Sequence, residues 1–309
     1  MRADFFEQPL NSTIHRRALT TAITAARAAG ALMRSNFHSV KKINEATQHD
    51  IKLELDVRCQ KLIERTLHKS FPSWAILGEE GTLGDIDSEF RWVVDPIDGT
   101  VNFSYGIPHC CVSIALQQRL PAGSESSSLS PGERASSSNP IFPVRTFPDL
   151  NFKTIVGVVY DPFCDELWSA SVGQKARLNG CPIRVSKRKK LEEAIVSMGF
   201  AKYAVTMQVM LPLLNNLVPR VRKIRLMGAA ALSMVYVACG RFDAYTESGV
   251  RLWDIAAGGL IIECAGGEFF REPLEGDHTY RIIANNGLLR QKIEKLSSWG
   301  RARQTLTPG

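Results

Sequence analysis

The 309-residue sequence predicts an α+β first half and an α/β second half, arranged as layers of helices packed on β-sheets. Two observations support this prediction. In the first half, two long helical segments precede a set of short apolar strands. From about Ala194 onwards strands and helices alternate, a pattern that favours helices covering the faces of a sheet. We therefore predict an N-terminal lobe over residues 1–185 and a C-terminal lobe over residues 186–309.

The N-terminal lobe begins with a helix that Ser12 or Thr13 can cap and that runs to about Phe37. Small and apolar residues recur on one face of it at helical spacing, namely Ile14, Ala18, Ala22, Ala25, Ala29 and Met33. We expect residues 1–11 to form a flexible leader before this helix. A second helix is predicted from about Asp50 to Ser70, ending before a proline. Short strands follow at Ala75–Leu77, Trp92–Asp95 and Cys111–Leu116.

Residues 120–150 differ in composition from the rest of the chain, with five prolines and two clusters of serine. Such a segment is typical of low-complexity, mobile chain. Strand patterns resume at Ile155–Tyr160 and Glu166–Ser169. We therefore interpret residues 120–150 as an insertion in a long hairpin loop, not as a boundary between domains.

The C-terminal lobe alternates strands with helices. The predicted strands are Ala194–Ser197, Lys223–Leu226, Phe242–Thr246, Glu268–Phe270 and Arg281–Ala284. The predicted helices are Tyr203–Leu217, Gly228–Ala238, Trp253–Cys264 and Gly287–Leu296. This order predicts a sheet with helices on its faces.

Composition and charge narrow the class of protein. Hydrophobic residues make up 44% of the chain and charged residues 22%, which is usual for a globular protein. No apolar run approaches the roughly 20 residues that span a membrane, and the N-terminus lacks a signal-peptide pattern. Seven cysteines without C-x-x-C spacing disfavour a zinc site and suit a reducing compartment. We therefore expect a cytoplasmic protein with no membrane partner.

The net charge of +7 raises the question of a nucleic-acid partner. The basic residues are scattered, however, and the densest run, Lys187–Lys190, is followed directly by Glu192 and Glu193. This pattern favours a solvated loop or helix start over a nucleic-acid-binding arm. We expect no nucleic-acid partner.

The segment Trp92–Thr100, with the sequence WVVDPIDGT, is the most informative part of the chain. An apolar strand delivers Asp95 and Asp98 into a tight turn, where two close carboxylates repel each other unless a cation neutralises them. Mg²⁺ prefers such oxygen ligands. Gly99 and Thr100 follow, where a helix can start. Backbone N–H groups at the start of a helix form a binding site for a phosphate. The segment therefore predicts metal-assisted phosphoryl chemistry.

Other acids can complete this site, although each has a simpler interpretation. Glu79 lies with Glu80 between glycines at a strand end, where a plain surface turn is the alternative. Asp254 opens a helix, where an acid also interacts well with the helix dipole. Asp56 lies on the second helix and can equally be a solvated residue. A binuclear metal centre needs bridging acids of this kind.

Competing catalytic motifs are weak. The sequence has no G-x-S-x-G elbow and no P-loop. His109 precedes Cys110, but adjacent residues on a strand face opposite ways, so a Cys–His nucleophilic pair is disfavoured.

Three motifs resemble the signature of the inositol monophosphatase family: Gly78–Glu80, Asp95–Phe103, and Trp253-Asp254 with Ala256 and Gly258. The resemblance covers roughly residues 13–296, apart from the 120–150 insertion. It implies the layered αβαβα sandwich of sugar phosphatases, which fructose-1,6-bisphosphatases share. It also implies a Mg²⁺-dependent, lithium-sensitive phosphomonoesterase that acts on a small-molecule phosphate ester and forms a homodimer.

The resemblance assigns a role to each matching residue. It implies two to three Mg²⁺ ions, bound by Glu79, Asp95, the carbonyl of Ile97, Asp98 and Asp254. The N–H groups of Gly99 and Thr100 would receive the phosphate, and the hydroxyl of Thr100 would orient the attacking water with Asp56. The alcohol part of the substrate would contact Asp98, Ala230 and Glu247. Glu79, Asp95, Thr100 and Asp56 would thus form the catalytic set.

Departures from the family pattern concern substrate choice. Lys52-Leu53-Glu54 replaces a run that is usually Asp-[Leu/Ile]-Val-Thr, and Ala229 and Ser233 replace a hydroxyl and an acid. Inositol monophosphate or a similar small polyol phosphate is the predicted substrate. The alternatives are a sugar bisphosphatase or a histidinol-phosphate phosphatase on the same scaffold, and a non-catalytic anion-binding protein.

Overall fold

The computed structural model describes residues 9–46, 51–121, 148–201 and 204–297. Its helices are α1 (Pro9–Asn36), α2 (Glu54–Ser70), α3 (Thr100–Ser104), α4 (Ala204–Leu217), α5 (Ala230–Ala238), α6 (Leu252–Cys264) and α7 (Arg290–Leu296). Helix α1 begins at Pro9, so the last three residues of the expected leader are helical, and residues 1–8 lie outside the described ranges. No helix in these ranges is long and apolar enough to cross a membrane.

The large sheet has eight strands in the order β10-β9-β8-β7-β6-β5-β3-β4. They are β3 (Ala75–Gly78), β4 (Gly81–Leu83), β5 (Phe90–Asp98), β6 (Cys111–Arg119), β7 (Phe152–Asp161), β8 (Glu166–Ser171), β9 (Arg177–Leu178) and β10 (Cys181–Pro182). Neighbouring strands are antiparallel except β3 and β5, which run parallel. Because β3 and β5 are parallel, the residues that follow them come to the same edge of the sheet.

The small sheet has five strands in the order β12-β11-β13-β15-β14. They are β11 (Ile195–Met198), β12 (Lys223–Arg225), β13 (Ala244–Arg251), β14 (Glu268–Pro273) and β15 (Thr279–Asn285). Strand β11 is parallel to both β12 and β13, and the other pairs are antiparallel. The predicted lobe boundary at residue 185 falls between the two sheets along the chain, and the division into lobes stays a prediction.

A short hairpin of β1 (Ile43–Ala46) and β2 (Ile51–Leu53) precedes α2. The sequence analysis placed the start of a helix at about Asp50, and this was wrong, because residues 51–53 are extended and α2 begins at Glu54. The extended Leu53 allows its backbone N–H to bond the Asp56 carboxylate at 2.6 Å, which caps the helix.

The elements stack in five layers, α, β, α, β and α, which confirms the layered sandwich. Helices α1 and α2 cover the outer face of the large sheet, and α5 and α6 pack between the two sheets. Helices α4 and α7 cover the far face of the small sheet. Gly157 permits the close approach of α6 to β7, because a Cβ there would lie 2.8 Å from the carbonyl oxygen of Ala257.

The 120–150 insertion joins β6 to β7. These strands pair antiparallel, which is the arrangement that a hairpin connection requires. Residues 122–147 lie outside the described ranges, and their mobility stays a prediction. The end of the insertion is ordered, since residues Pro148–Asn151 form a 3-10 turn that leads directly into β7.

Candidate active site

The carboxyl end of β3 carries Glu79. The pair Glu79-Glu80 forms the two-residue turn of the β3–β4 hairpin, in which Gly78 pairs with Gly81. The backbone N–H of Glu79 donates to the carbonyl of Val94 on β5 at 3.1 Å, which places the turn beside Asp95. The surface-turn and metal-site interpretations of this segment are therefore compatible.

The side-chain amide of Gln60 on α2 makes two hydrogen bonds to the backbone of this turn. Its Oε1 accepts the backbone N–H of Glu80 at 2.9 Å, and its Nε2 donates to the carbonyl of Gly81 at 3.1 Å. The side chain is buried, so both bonds are shielded from water. We conclude that Gln60 helps to fix the direction in which Glu79 points.

A β-bulge in β5 explains how Asp95 and Asp98 reach one site. On a regular strand, residues three apart face opposite sides of the sheet. Here Asp95 pairs with Ser113 and Asp98 with Cys111, so three steps on β5 match two on β6. The predicted tight turn after Asp95 was wrong, because the strand continues to Asp98 through this bulge. Bulges re-aim side chains in this way at functional sites.

Asp98 connects the large sheet to helix α5. Its Oδ1 accepts the backbone N–H of Ala230 at 3.0 Å, and its Oδ2 accepts that of Ala231 at 2.7 Å. Burial raises the pKa of Asp98 to about 6, although these N–H groups act to lower it. The N–H of Ala230, a predicted substrate contact, is thus engaged by Asp98, while the residue still lines the cavity.

Asp254 lies in the first turn of α6. Its Oδ2 accepts the backbone N–H of Arg251 at 2.9 Å, so it caps the helix as the simpler interpretation expected. It also faces the same cavity as Asp98. Burial and the nearby charge of Asp98 raise the pKa of Asp254 to about 8. Capping and a place in the acidic cluster therefore coexist in one residue.

The loop from Ile97 to α3 gathers the predicted water-orienting groups. Gly99 has a φ of 91°, in the left-handed region, which turns the chain from β5 into α3. The Thr100 hydroxyl donates to the carbonyl of Ile97 at 2.8 Å and lies 3.4 Å from Asp56 Oδ1. Asp56 is only 2% exposed, so its interpretation as a solvated helical acid was wrong.

These groups line a cavity of about 290 Å³. Five acids line it, namely Glu79, Asp95, Asp98, Glu247 and Asp254. Its remaining lining is Ile97, Gly99, Thr100, Val101, Met198, Gly199, Phe200, Gly228, Ala229, Ala230, Ser233 and Tyr245. Asp56 contacts this cavity through Thr100.

Glu247 is half-buried beside Tyr245, whose hydroxyl donates to its carboxylate. Burial raises the pKa of Glu247 to about 7. Gly199 leaves room for this acid, since a Cβ at position 199 would lie 1.9 Å from Glu247 Oε2. Sequence reasoning missed Met198, Gly199 and Phe200. Met198 ends β11 and the other two residues follow it, and this position was a usable signal, because ligands bind beyond the carboxyl ends of parallel strands.

The electrostatics of the four acids favour a cation. Burial raises the pKa of Glu79 and of Asp95 well above the usual range, and the charge of neighbouring acids raises them further. None of the ion pairs within the described ranges involves Glu79, Asp95, Asp98 or Asp254. A set of buried and half-buried carboxylate oxygens without a cationic partner is the donor chemistry that suits a hard divalent ion.

The acids nevertheless do not form a finished metal cage. Among the described residues, no three His, Cys, Asp or Glu side chains are arranged as ligands of one ion. Asp95 instead shares hydrogen bonds with Glu79 and with Asp254. A metal ion would replace these carboxyl–carboxyl contacts, so its binding depends on how β3, β5 and α6 are held relative to one another.

Comparison with known proteins identifies the family. Residues 15–120 and 150–297 match the sequence profile of the inositol monophosphatase family. This chain belongs to that family. The unmatched stretch, 121–149, falls within the insertion. As a member of the family, the protein is a phosphatase.

Individual relatives agree with this identification. The chain is 35% identical over 284 residues to inositol monophosphatase 1 of Solanum lycopersicum, covering 88% of this chain and 92% of that protein. It is 34% identical over 275 residues to the Nus factor SuhB of Escherichia coli strain K12, covering 86% and 89%.

Solved structures show the same fold. The extragenic suppressor protein SuhB from Bartonella henselae aligns with a TM-score of 0.74 and 30% identity, covering 90% of this chain and 96% of that one. The inositol monophosphatase from Anabaena aligns with a TM-score of 0.72 and 29% identity, covering 94% and 96%.

Proposed function

We propose that this phosphatase is a Mg²⁺-dependent phosphomonoesterase acting on inositol monophosphate or a similar small polyol phosphate. The observation that carries the proposal is the meeting of Glu79, Asp95, Asp98 and Asp254 at one cavity. Asp95 and Asp98 are buried and Glu79 and Asp254 half-buried, and none of the four has a cationic side chain as ion-pair partner among the described residues. Charge of this density in a buried site needs a counter-ion.

Five groups of this chain would hold two to three Mg²⁺ ions: the carboxylates of Glu79, Asp95, Asp98 and Asp254, and the carbonyl oxygen of Ile97. Asp98 Oδ2 accepts from the Ala231 N–H and from the Cys111 thiol, whereas Oδ1 accepts from the Ala230 N–H, so the bond to a metal ion would be made through Oδ1. When bound, Mg²⁺ would lower the pKa of a coordinated water and offset charge on the phosphate.

The hydroxyl of Thr100 is placed to orient the attacking water. Because it donates to Ile97, its lone pairs are free to accept a hydrogen bond from a water O–H. For a proton to leave the water by this route, the hydroxyl would turn from Ile97 towards Asp56, 3.4 Å away, give its own proton to that carboxylate and take the proton of the water. Backbone N–H groups of Gly99 and Thr100 at the cavity wall would hold the phosphate oxygens.

Glu247 and Ser233 would bind the alcohol part of the substrate. Glu247 is an acceptor for a polyol hydroxyl, and Ser233 adds a small polar group. Ser233 donates to the carbonyl of Ala229 at 2.9 Å and accepts from Ser197. A cavity of about 290 Å³ lined by many polar side chains suits a small polar ligand. Because Ser233 replaces the acid that the resemblance implies at this position, fructose bisphosphate and histidinol phosphate are the alternative substrates.

We extend the proposal to the state of the protein in the cell. All seven cysteines are free thiols, which supports a reducing, cytoplasmic location. Family membership supports a homodimer, which light scattering of the purified protein would test. We propose that the protein acts without a nucleic-acid or membrane partner.

Phosphate release from a substrate panel tests the proposed function. The panel contains inositol 1-phosphate, fructose 1,6-bisphosphate, histidinol phosphate and 3′-phosphoadenosine 5′-phosphate, each assayed with Mg²⁺, with chelator, and with Mg²⁺ plus Li⁺. We expect Mg²⁺-dependent, Li⁺-inhibited turnover that is fastest on inositol 1-phosphate. Preference for another member would overturn the substrate class but keep the mechanism. Absence of metal-dependent turnover on every member would overturn the mechanism.

A further inference from the structure

We infer that Asp149, outside the family match, is a positioning residue that sets the distance between Asp95 and Asp254. The inference rests on the proposed function, since it concerns the metal ligands. Asp149 lies in the 3-10 turn at the end of the insertion and is 3% exposed. The carboxylate of Asp149 lies between the two sheets, because it bonds Arg91 of the large sheet and Tyr280 of the small sheet.

Three donors from two parts of the chain, β5 and residues 278–280, converge on this one carboxylate. Asp149 Oδ1 accepts from Arg91 Nη2 at 2.7 Å. Asp149 Oδ2 accepts from the hydroxyl of Tyr280 at 2.8 Å and lies 2.7 Å from Nδ1 of His278. Arg91 and Tyr280 are fully buried, so these bonds are shielded from water. The low dielectric of the protein interior strengthens them.

The first branch of the network leads to Asp95. Arg91 lies on β5, four residues before Asp95, so the two side chains project from the same rigid strand. The guanidinium of Arg91 makes two further contacts, while its buried Nη1 has no hydrogen-bond partner in the described part of the chain. Its Nε donates to Gln117 Oε1 at 3.0 Å, and its Cζ lies 3.8 Å from the centre of the Phe152 ring. Asp149 is therefore bonded to β5 through the side chain of Arg91, which these contacts restrain.

The second branch leads to Asp254. The carbonyl of His278 accepts the backbone N–H of Leu252, the first residue of α6, at 2.9 Å. Asp254 lies two residues further along this helix. His278 has a φ of 52°, an unusual value for a residue other than glycine, and its bond to Asp149 helps to hold that conformation.

The two branches make Asp149 the common anchor of β5 and the start of α6. Because the acids do not form a finished cage by themselves, metal affinity depends on the relative placement of these two elements. Loss of the Asp149 charge leaves Arg91 buried without its ion-pair partner, and the contacts that join β5 to residues 278–280 weaken. We therefore expect weaker metal binding without any direct contact between Asp149 and the ion.

Asp149→Asn tests this inference, with Asp243→Asn as the matched control. Asp243 is also a fully buried carboxylate with an arginine partner, since its Oδ1 accepts from Arg188 Nε at 2.7 Å. It lies at the opposite end of β13 from Arg251, roughly 26 Å along the strand. Mn²⁺ binding to each full-length protein is measured by electron paramagnetic resonance without substrate, at a temperature where circular dichroism shows both variants folded.

The inference predicts that Asp149→Asn raises the Kd for Mn²⁺ about tenfold, while Asp243→Asn changes it less than about twofold. Turnover of Asp149→Asn should recover at saturating Mg²⁺, so the defect lies in metal affinity and not in kcat. A normal Mn²⁺ Kd in a folded Asp149→Asn protein would overturn the inference. If the wild type bound no Mn²⁺, the proposed function would fail as well.

Tyr280→Phe provides a second test if Asp149→Asn does not fold. This variant removes one donor to Asp149 and keeps the ring that fills the core. The inference predicts a smaller rise in the Mn²⁺ Kd, about threefold, consistent with the loss of one hydrogen bond. An unchanged Kd in this variant would contradict the inference.

Discussion

The carboxylate of Asp98 accepts the backbone N–H of Ala231 at 2.7 Å, so an acid from the large sheet caps a helix that packs between the two sheets. The neighbouring N–H of Ala230 bonds the other oxygen at 3.0 Å. One residue therefore has two tasks, in the acidic cluster and at the start of α5. This combination means that its substitutions must be chosen to separate charge from capping.

Asp98→Asn and Asp98→Ala together measure the capping role. Both remove the negative charge, but the amide oxygen of the Asn variant can still accept the Ala231 N–H. We expect Asp98→Ala to be about 1 kcal/mol less stable than Asp98→Asn in urea unfolding, and both to lose metal-dependent turnover. Equal stability of the two variants would show that the helix cap contributes nothing.

Gln60→Leu tests the support behind Glu79. The substitution keeps the apolar volume near α2 but removes the acceptor for the Glu80 N–H and the donor to the Gly81 carbonyl. We expect the Mg²⁺ concentration for half-maximal activity to rise and the free energy of unfolding to fall by about 1 kcal/mol.

The matched control is Glu64→Gln, which lies on the same helix, takes away the carboxylate to which Gln60 Nε2 also donates and leaves both bonds from Gln60 to the turn in place. Its Mg²⁺ requirement should equal that of the wild type. If Gln60→Leu had the wild-type Mg²⁺ requirement, Glu79 would not need this support.

Thr100→Ala tests the water-orienting hydroxyl. The variant removes the group that donates to Ile97 and lies near Asp56. We expect kcat to fall about a hundredfold with little change in the Kd for Mn²⁺, because the hydroxyl acts on the water. Thr100→Ser, which keeps the hydroxyl, should retain most of the activity. A normal kcat in Thr100→Ala would remove this residue from the catalytic set.

The stability of the protein in acid tests the Asp149 ion pair. Burial alone would raise the pKa of Asp149, but the hydrogen bond from His278 and the charge of Arg91 outweigh it and lower the pKa to about 2. A lowered pKa stabilises the folded state above the unfolded value of 3.8, and this contribution is lost as pH falls towards 2. We expect this contribution of Asp149 to the free energy of unfolding to be about 2 kcal/mol.

Urea unfolding between pH 5 and pH 2 measures this contribution as the difference between the wild type and Asp149→Asn. Other carboxylates titrate in both proteins, so the difference isolates Asp149. The gap in unfolding free energy should narrow as the pH falls below 4. A constant gap would mean that Asp149 is not held ionised by Arg91 and His278.

Much of the site was predictable because its chemistry is local in sequence. Acids at the ends of predicted strands, such as Glu79 and Asp95, stand out beside glycine and apolar runs, and the parallel pairing of β3 and β5 brings them together. The local sequence left Asp254 open between the site and a first-turn acid that interacts with the helix dipole, and the family motif favoured the site. The structure places these three residues at one cavity.

Other features could not be read from the sequence because they depend on tertiary context. The bulge in β5 is set by pairing with β6, so Asp95-Pro96-Ile97-Asp98 looked like a turn. The β1–β2 hairpin is short and weakly patterned, and the start of α2 was placed too early as a result. Asp149 sits in a proline- and serine-rich segment whose composition hides a buried carboxylate.

The most direct test of the central claim is phosphate release from inositol 1-phosphate by the wild type and by Asp95→Asn, measured across Mg²⁺ concentrations. Asp95 lies at the centre of the acidic cluster and shares hydrogen bonds with Glu79 and Asp254. We expect Mg²⁺-dependent release by the wild type and no detectable release by a variant with native circular dichroism. Normal turnover by Asp95→Asn, or wild-type turnover that survives chelation of the metal, would contradict the account.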